Sequence, residues 1–337
     1  MSTAAEQFKK SIEVTRPQMN NLGQIEVDYN KPIDKDAPPV IQSIPLEHAY
    51  SEAALTLSLD GMKQTEALGN KYIFWHPFSG ILVAVVASVY FHKNRLEMLP
   101  KVEEEGMWRY LLKNAMKNRE TLGAGLMYIF IIGTITFKFL ALINEDYFRG
   151  KIQQINDENG LSIFGFDVSK YILNDKYLND KMILKNNVNI IVYRNTPIAS
   201  IVLKTPTLNV EHEDDDLIEI EKRAFITSLS CRRVYLKSGI LEDLVNWAKK
   251  RCLDLNDSIY ETQNKITGQT VYANELIETL VFKTYSFEFG LEKLMKESGF
   301  TLQKLQKLDT KKRKLNALLN VIGVREKIWE ITVPTKE

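Results

Sequence analysis

Two long apolar stretches constrain this chain more than any other feature of its sequence. Residues 74–91 contain no Asp, Glu, Lys or Arg, and residues 122–143 contain a single charge, Lys138. A helix of about 20 such residues is long enough to cross the hydrocarbon core of a bilayer. Buried helices of soluble proteins normally keep a polar stripe, and these two stretches keep almost none. The sequence therefore predicts two transmembrane helices.

Charge and cysteine content argue against several classes of protein. The net charge is +1, and no basic stripe with interleaved aromatic residues is present, so nucleic acid is not an expected partner. The only cysteines, Cys231 and Cys252, are too few for a disulfide framework or a zinc cluster. His76 stands alone, and the acidic run at 211–216 lacks the glycine and spacing of a calcium loop. We expect no metal and no cofactor.

The segments around the two apolar stretches predict the domain organisation. Residues 107–113, in the polar loop, have apolar side chains at helical spacing, as an amphipathic helix in a membrane interface would. A helix that ends at Gly69-Asn70 precedes the first stretch. The expected parts are a polar, proline-rich, disordered tail (1–46), an amphipathic helix (47–70), a transmembrane hairpin (71–148) and an α/β domain (149–337).

Small residues recur at every fourth position of the first apolar stretch. Gly80, Ala84 and Ser88 therefore stack on one helix face and allow another helix to approach closely. The second stretch carries Gly125 and Gly133. Two interpretations are open. Either the two predicted helices pack on each other through this face, or the face receives a helix of another membrane protein, in which case these three residues contact a client.

Strand-like and helix-like segments alternate after residue 149. Runs of β-branched and aromatic residues predict strands, and apolar residues at helical spacing predict helices. The predicted strands are a hairpin at 188–204 and single strands at 223–232, 276–287 and 326–333. The predicted helices are 241–252, 289–298 and the lysine-rich 302–314.

This order, hairpin, strand, helix, strand and a helix ending in Gly299-Phe300, resembles the GNAT acetyltransferase superfamily. In that family a loop reading Arg or Gln, two residues, Gly, one residue, and Gly or Ala holds the pyrophosphate of acetyl-CoA at a helix N-terminus. Here the loop keeps Gly239, but Leu236 and Leu241 replace its first and last positions. The resemblance implies a GNAT-like α/β domain, and the departures imply one without cofactor or catalytic activity.

A second resemblance covers more of the chain. Residues 31–39 (KPIDKDAPP) and 70–78 (NKYIFWHPF), then two membrane helices and an α/β tail, are similar to a fungal family of endoplasmic-reticulum membrane proteins. Its members package the high-affinity inorganic phosphate transporter of the plasma membrane. The resemblance implies a chaperone with that polytopic transporter as client, in contact with the bilayer and with vesicle-coat components. The alternative function is a membrane-anchored GNAT-type N-acetyltransferase.

Two arguments about membrane orientation disagree. The 92–120 loop holds seven Lys and Arg residues, which favours a cytosolic loop. Residues 1–73 contain no apolar core of a signal peptide, which favours cytosolic termini. Because an export chaperone must face the coat machinery, we expect both termini in the cytosol and the loop in the lumen. Asn256-Asp257-Ser258 is an N-glycosylation acceptor that would report the opposite arrangement.

Overall fold

The computed structural model describes residues 40–94, 107–205, 222–266, 276–308 and 317–334. These residues fall into two compact units. The sheet unit is built from positions up to 65, from 148–308 and from 325 onward, and the helical unit from 66–147 and 309–324. The acidic run at 211–216 and most of the predicted tail lie outside the described residues.

Seven strands of the sheet unit form one mixed sheet in the order β1-β2-β3-β4-β5-β7-β6. All neighbouring strands are antiparallel except β4 and β5, which are parallel. The predicted α/β fold is confirmed. The strands are β1 (Ile41–Pro45), β2 (Val188–Tyr193), β3 (Thr196–Lys204), β4 (Arg223–Cys231), β5 (Thr279–Tyr285), β6 (Thr301–Lys307) and β7 (Arg325–Thr332).

The β2–β3 hairpin shows why its sequence folds as predicted. Tyr193 pairs with Thr196, so the turn consists of Arg194 and Asn195, both with positive φ (49° and 57°). Two-residue turns of this kind match the right-handed twist of the strands on either side. β2 and β3 are almost entirely buried, as continuous β-branched runs predict.

Two predictions about strands are wrong. Strand β1 pairs with β2 over its whole length and buries Ile44, so the disordered tail does not extend to residue 46. Five residues whose partners lie far along the chain leave no local periodicity to detect. Residues 302–307 belong to the exposed edge strand β6 and not to a helix. A run of Lys and Gln fits any exposed element, because lysines also protect sheet edges.

Helices cover the sheet and form the helical unit. One face of α8 carries Leu244, Val245, Ala248 and Cys252 into the main core, as the apolar spacing predicts. The helices are α1 (Ser51–Trp75), α2 (Pro77–Lys93), α3 (Met107–Lys117), α4 (Arg119–Asp157), α5 (Leu161–Phe164), α6 (Val168–Leu173), α7 (Met182–Asn186), α8 (Ile240–Ile266), α9 (Phe289–Glu297) and α10 (Ala317–Val321).

Among the described residues, α4 is the one helix long and apolar enough to cross a membrane by itself. The second candidate is a bent pair, residues 48–75 followed by 77–93, which meet at an angle of 42°. Pro77 has no N–H to continue α1 and holds His76 in an extended conformation (φ −73°, ψ 135°). The predicted first span, 74–91, therefore begins in the last residues of α1.

Gly69 is an interior residue of α1, not the helix stop that the sequence predicted. A Cβ atom at this position would lie 2.9 Å from the side-chain amide of Asn144, on α4. Asn144 is buried, and its Nδ2 donates to the carbonyl oxygen of Glu66 and to Oδ1 of Asn70. The glycine is needed because α1 and α4 approach closely here.

Candidate functional site

The loop that would hold a pyrophosphate in an acetyltransferase lies between β4 and α8. Gly239 has φ +85°, which a glycine adopts readily, and an added Cβ would meet nothing within 4 Å. Leu236 is exposed, and Leu241 packs against the sheet core. Glu242 and Asp243 occupy the first turn of α8. Carboxylates there already complement the helix dipole and would repel a phosphate group.

Strands β4 and β5 separate over the second half of β4. They pair from Arg223 to Ile226 and not beyond. Helix α1 lies against the separated end of β4: Gln64 Nε2 donates to the carbonyl oxygen of Cys231 (3.1 Å), and Ser228 donates to Ser58 (2.9 Å). A Cβ on Gly61 would approach the Cβ of Ser230 to 3.0 Å. Helix α1 thus contacts the second half of β4, the part of the strand that does not pair with β5.

A cavity of about 500 Å³ remains between α1 and the two strands. Its main buried charge is Glu288, which is 5% exposed. One carboxylate oxygen of Glu288 accepts from Thr65 Oγ1 and the other from the N–H of Tyr285, both at 2.7 Å. Burial raises the pKa of Glu288 despite these two bonds. Both oxygens are engaged, so the carboxylate holds α1 on the sheet unit.

Lys151 is one of three lysines that line this cavity, with Lys204 and Lys283. Its Nζ donates to Tyr285 Oη (2.7 Å) and to Glu326 (3.0 Å). No short sequence motif unites Lys151, Glu288 and Thr65, which is why sequence reasoning missed the cluster. The single cue was an acidic residue placed between two aromatic residues, Phe287 and Phe289.

Neither the two cysteines nor the metal-binding residue types form a reactive site in the described parts of the chain. Cys231 and Cys252 are buried, and burial raises the pKa of each thiol to about 12, so neither is a thiolate at neutral pH. No group of three or more His, Cys, Asp or Glu side chains in these parts is arranged to hold a metal ion.

The predicted small-residue face lies on the exposed side of α2. Gly80, Ala84 and Ser88 are all exposed, and a Cβ on Gly80 would meet nothing within 4 Å. The contact between α2 and α4 is formed differently. A Cβ on Gly125 of α4 would lie 2.8 Å from the ring of Phe91, on α2. The helix pair therefore meets through glycine on α4 and large side chains on α2, and leaves the small-residue face uncovered.

The glycosylation acceptor is a structural residue in the folded chain. Asn256 is 2% exposed, and its amide both donates to and accepts from the backbone of Ile277, at 2.9 Å each. A folded sheet unit cannot present this side chain to a glycosyltransferase.

Comparison with solved structures returns acetyltransferases at low similarity. A protein described as a streptothricin acetyltransferase from Bacillus anthracis is 16% identical over 44% of this chain and 63% of its own, with a TM-score of 0.30. The ribosomal-protein-S18-alanine N-acetyltransferase of Escherichia coli is 9% identical over 44% of this chain and 70% of its own (TM-score 0.28). Naa50 of Arabidopsis thaliana is 14% identical over 47% and 80% (TM-score 0.27).

The chain spans less than two thirds of the first of these structures. No curated protein sequence matches it significantly. A family model described as inorganic phosphate transporter chaperone Pho86 matches residues 23–333, which include both apolar helices and the whole described sheet. The chain therefore belongs to the Pho86 family of inorganic phosphate transporter chaperones.

Proposed function

We propose that this chaperone resides in the endoplasmic-reticulum membrane and prepares a polytopic phosphate transporter for export. In this proposal α2 and the apolar part of α4 form a transmembrane hairpin, and the sheet unit acts as a scaffold without catalytic activity. Family membership supports the client. Exposed apolar side chains support the membrane hairpin, and the uncontacted small-residue face of α2 supports the client surface.

Uncovered apolar side chains carry the membrane part of the proposal. Ile81 and Val85 on α2, and Leu126, Phe130 and Ile135 on α4, are exposed, Phe130 to 75%. Leaving apolar surface in water costs roughly 25 cal/mol for each Å². Lipid removes this penalty, and helices satisfy their own backbone hydrogen bonds within it.

The Gly80–Ala84–Ser88 face is the proposed client surface. Helices in lipid associate where small side chains allow close backbone approach, and this face has no partner helix among the described residues. A half-assembled transporter exposes helix faces that need temporary cover. The small side chains of this face can pack against such a helix but bury little apolar surface, so the transporter can still be released.

The test is a pair of variants on α2. Gly80→Ile plus Ala84→Ile should abolish site-specific crosslinking to the transporter and leave it in the endoplasmic reticulum. Val85→Ile, an exposed and conservative change on the same helix, should leave both unchanged. Survival of crosslinking and export in the double variant would remove this face from the mechanism.

The alternative of a membrane-anchored N-acetyltransferase is tested by binding. With Glu242 and Asp243 at the start of α8 and α1 against β4, we expect no acetyl-CoA binding by calorimetry at millimolar ligand. A micromolar dissociation constant would favour the enzyme.

The proposed orientation places both termini in the cytosol, where the sheet unit can meet vesicle-coat components, and the 92–120 loop in the lumen. Because Asn256 is buried, absence of a glycan there says nothing about orientation. An acceptor engineered into the 92–120 loop should be glycosylated. Protease treatment of sealed microsomes should remove a C-terminal tag, and a protected tag would reverse the orientation.

A further inference from the structure

Helix α3 carries an apolar face that nothing described in the protein covers. None of its residues is buried. Its large apolar side chains fall at helical spacing and therefore on one side. They are all exposed, Trp108 to 83%: Met107, Trp108, Leu111, Leu112 and Met116.

The charged side chains of α3 form a separate line. Arg109, Lys113 and Lys117 are spaced by four residues, so they stack together on the side of the helix that the apolar face leaves free. Residues 107–117 contain no acidic side chain. An apolar face bordered by cations is complementary to a surface that is apolar below and anionic above, which describes an anionic phospholipid interface.

The position of α3 in the chain places it at such an interface. Only Asn118 separates α3 from α4, and the apolar stretch of α4 begins at Leu122. Four residues of helix rise by about 6 Å, so the end of α3 cannot lie far from the level at which α4 enters a bilayer. An aromatic residue such as Trp108 is favoured at that depth.

We propose that α3 binds the headgroup region of an anionic bilayer, with Trp108, Leu111, Leu112 and Met116 in the acyl boundary and the basic line at the phosphates. This rests on the proposed hairpin, because α4 brings α3 to the membrane. α3 then holds the adjoining end of α4 at the surface while the small-residue face of α2 remains available to a client.

The experiment places a nitroxide on each side of α3 in the full chain, reconstituted into nanodiscs of phosphatidylcholine and phosphatidylserine. The matched variants are Leu112→Cys and Lys113→Cys. Buried Cys231 and Cys252, with thiol pKa values near 12, react slowly with the label. The label at 112 should collide mainly with oxygen, which concentrates in lipid, and the label at 113 mainly with a water-soluble nickel chelate.

Two control labels distinguish a failure of the proposed transmembrane hairpin from a failure of the proposed α3–lipid contact. Ile135→Cys, in the middle of α4, reports whether the span is in lipid, and Leu173→Cys, an exposed residue of the sheet unit, reports water. A nickel-accessible label at 135 would overturn the proposed hairpin. A lipid-exposed label at 135 with equal nickel access at 112 and 113 would overturn the present proposal alone. Shielding of 112 that appears only when the transporter is added would assign the face to the client instead.

A charge variant tests the choice of lipid. Each basic residue near an anionic surface contributes a factor of about five in affinity. Arg109→Gln, Lys113→Gln and Lys117→Gln together should abolish the dependence of the depth at 112 on phosphatidylserine content. An unchanged dependence would exclude the basic line from lipid binding.

Discussion

The sheet unit and the helical unit handle apolar side chains in opposite ways. In the sheet unit, the apolar residues of β2, β3 and α8 are covered by the chain itself and form continuous cores. In the helical unit, α2, α3 and α4 expose most of theirs. The sheet unit therefore buries its apolar side chains within itself, and the proposed membrane hairpin would account for the exposed apolar side chains of the helical unit.

Polar residues show the same contrast. In the sheet unit, Glu288, Lys151 and Asn256 are buried or half-buried and hydrogen-bonded to other parts of the chain. On α2 and α4, exposed Ser88 and Thr134 each bond to a carbonyl of their own helix, at 2.8 Å. Hydroxyls satisfied within their helix are suited to lipid, which offers no hydrogen bonds.

The largest expected effect is on the stability of the sheet unit, and it is tested with one Ile→Ala substitution in each unit. Ile201→Ala removes a fully buried side chain of β3 and should destabilise the sheet unit by about 2–5 kcal/mol. Ile135→Ala removes an exposed side chain of α4 and should change that stability by less than ~0.5 kcal/mol. Hydrogen exchange of the β3 and β4 amides in the full chain measures both. Equal losses would mean that the units are not independent in stability.

A smaller effect is expected inside the helical unit. Gly69→Val forces a side chain against Asn144 and should loosen the contact between α1 and α4 by about 1–3 kcal/mol. Gly80→Val, which meets nothing, is the matched control and should leave that contact intact. Amide exchange at residues 66–75 and 140–147 reports the contact. Similar exchange in both variants would show that the close approach at Gly69 is unimportant.

The smallest effect is a pH dependence of the sheet unit. Burial raises the pKa of Glu288 above its ordinary value of 4.5, so the folded chain binds this proton more tightly than the unfolded chain. Stability contributed by this group is therefore lost as pH rises from 4.5 through the raised pKa. Urea unfolding across this range should show the loss in the wild type and not in Glu288→Gln.

The wild type and Glu288→Gln must be compared, because a second carboxyl, Glu292, also makes the free energy of unfolding depend on pH. Hydrogen bonds from Lys327 and Lys296 lower the pKa of Glu292, which acts with the opposite sign in both proteins and cancels in the comparison. An identical pH profile in Glu288→Gln would contradict the role assigned to burial at position 288.

Much of the fold could be predicted from the sequence because it follows local rules. The β2–β3 hairpin, strands β4, β5 and β7, and helices α8 and α9 each carry their own periodicity or turn residues, and each was found. Leu236 and Leu241 depart from the acetyltransferase pattern in the sequence, and the lack of a cofactor stays a prediction. Strand β1 and the edge strand β6 were missed because their pairing partners, and not their own residues, make them strands.

The sequence by itself determined that the chain has two apolar helices, an α/β domain and a small-residue face at Gly80, Ala84 and Ser88, because composition and spacing are local properties. Only the tertiary structure decided that the α2–α4 contact uses Gly125 and that no helix among the described residues covers this face. It also joined Thr65 to Glu288, which lie 223 residues apart. Such choices depend on which distant surfaces meet, and no local pattern encodes that.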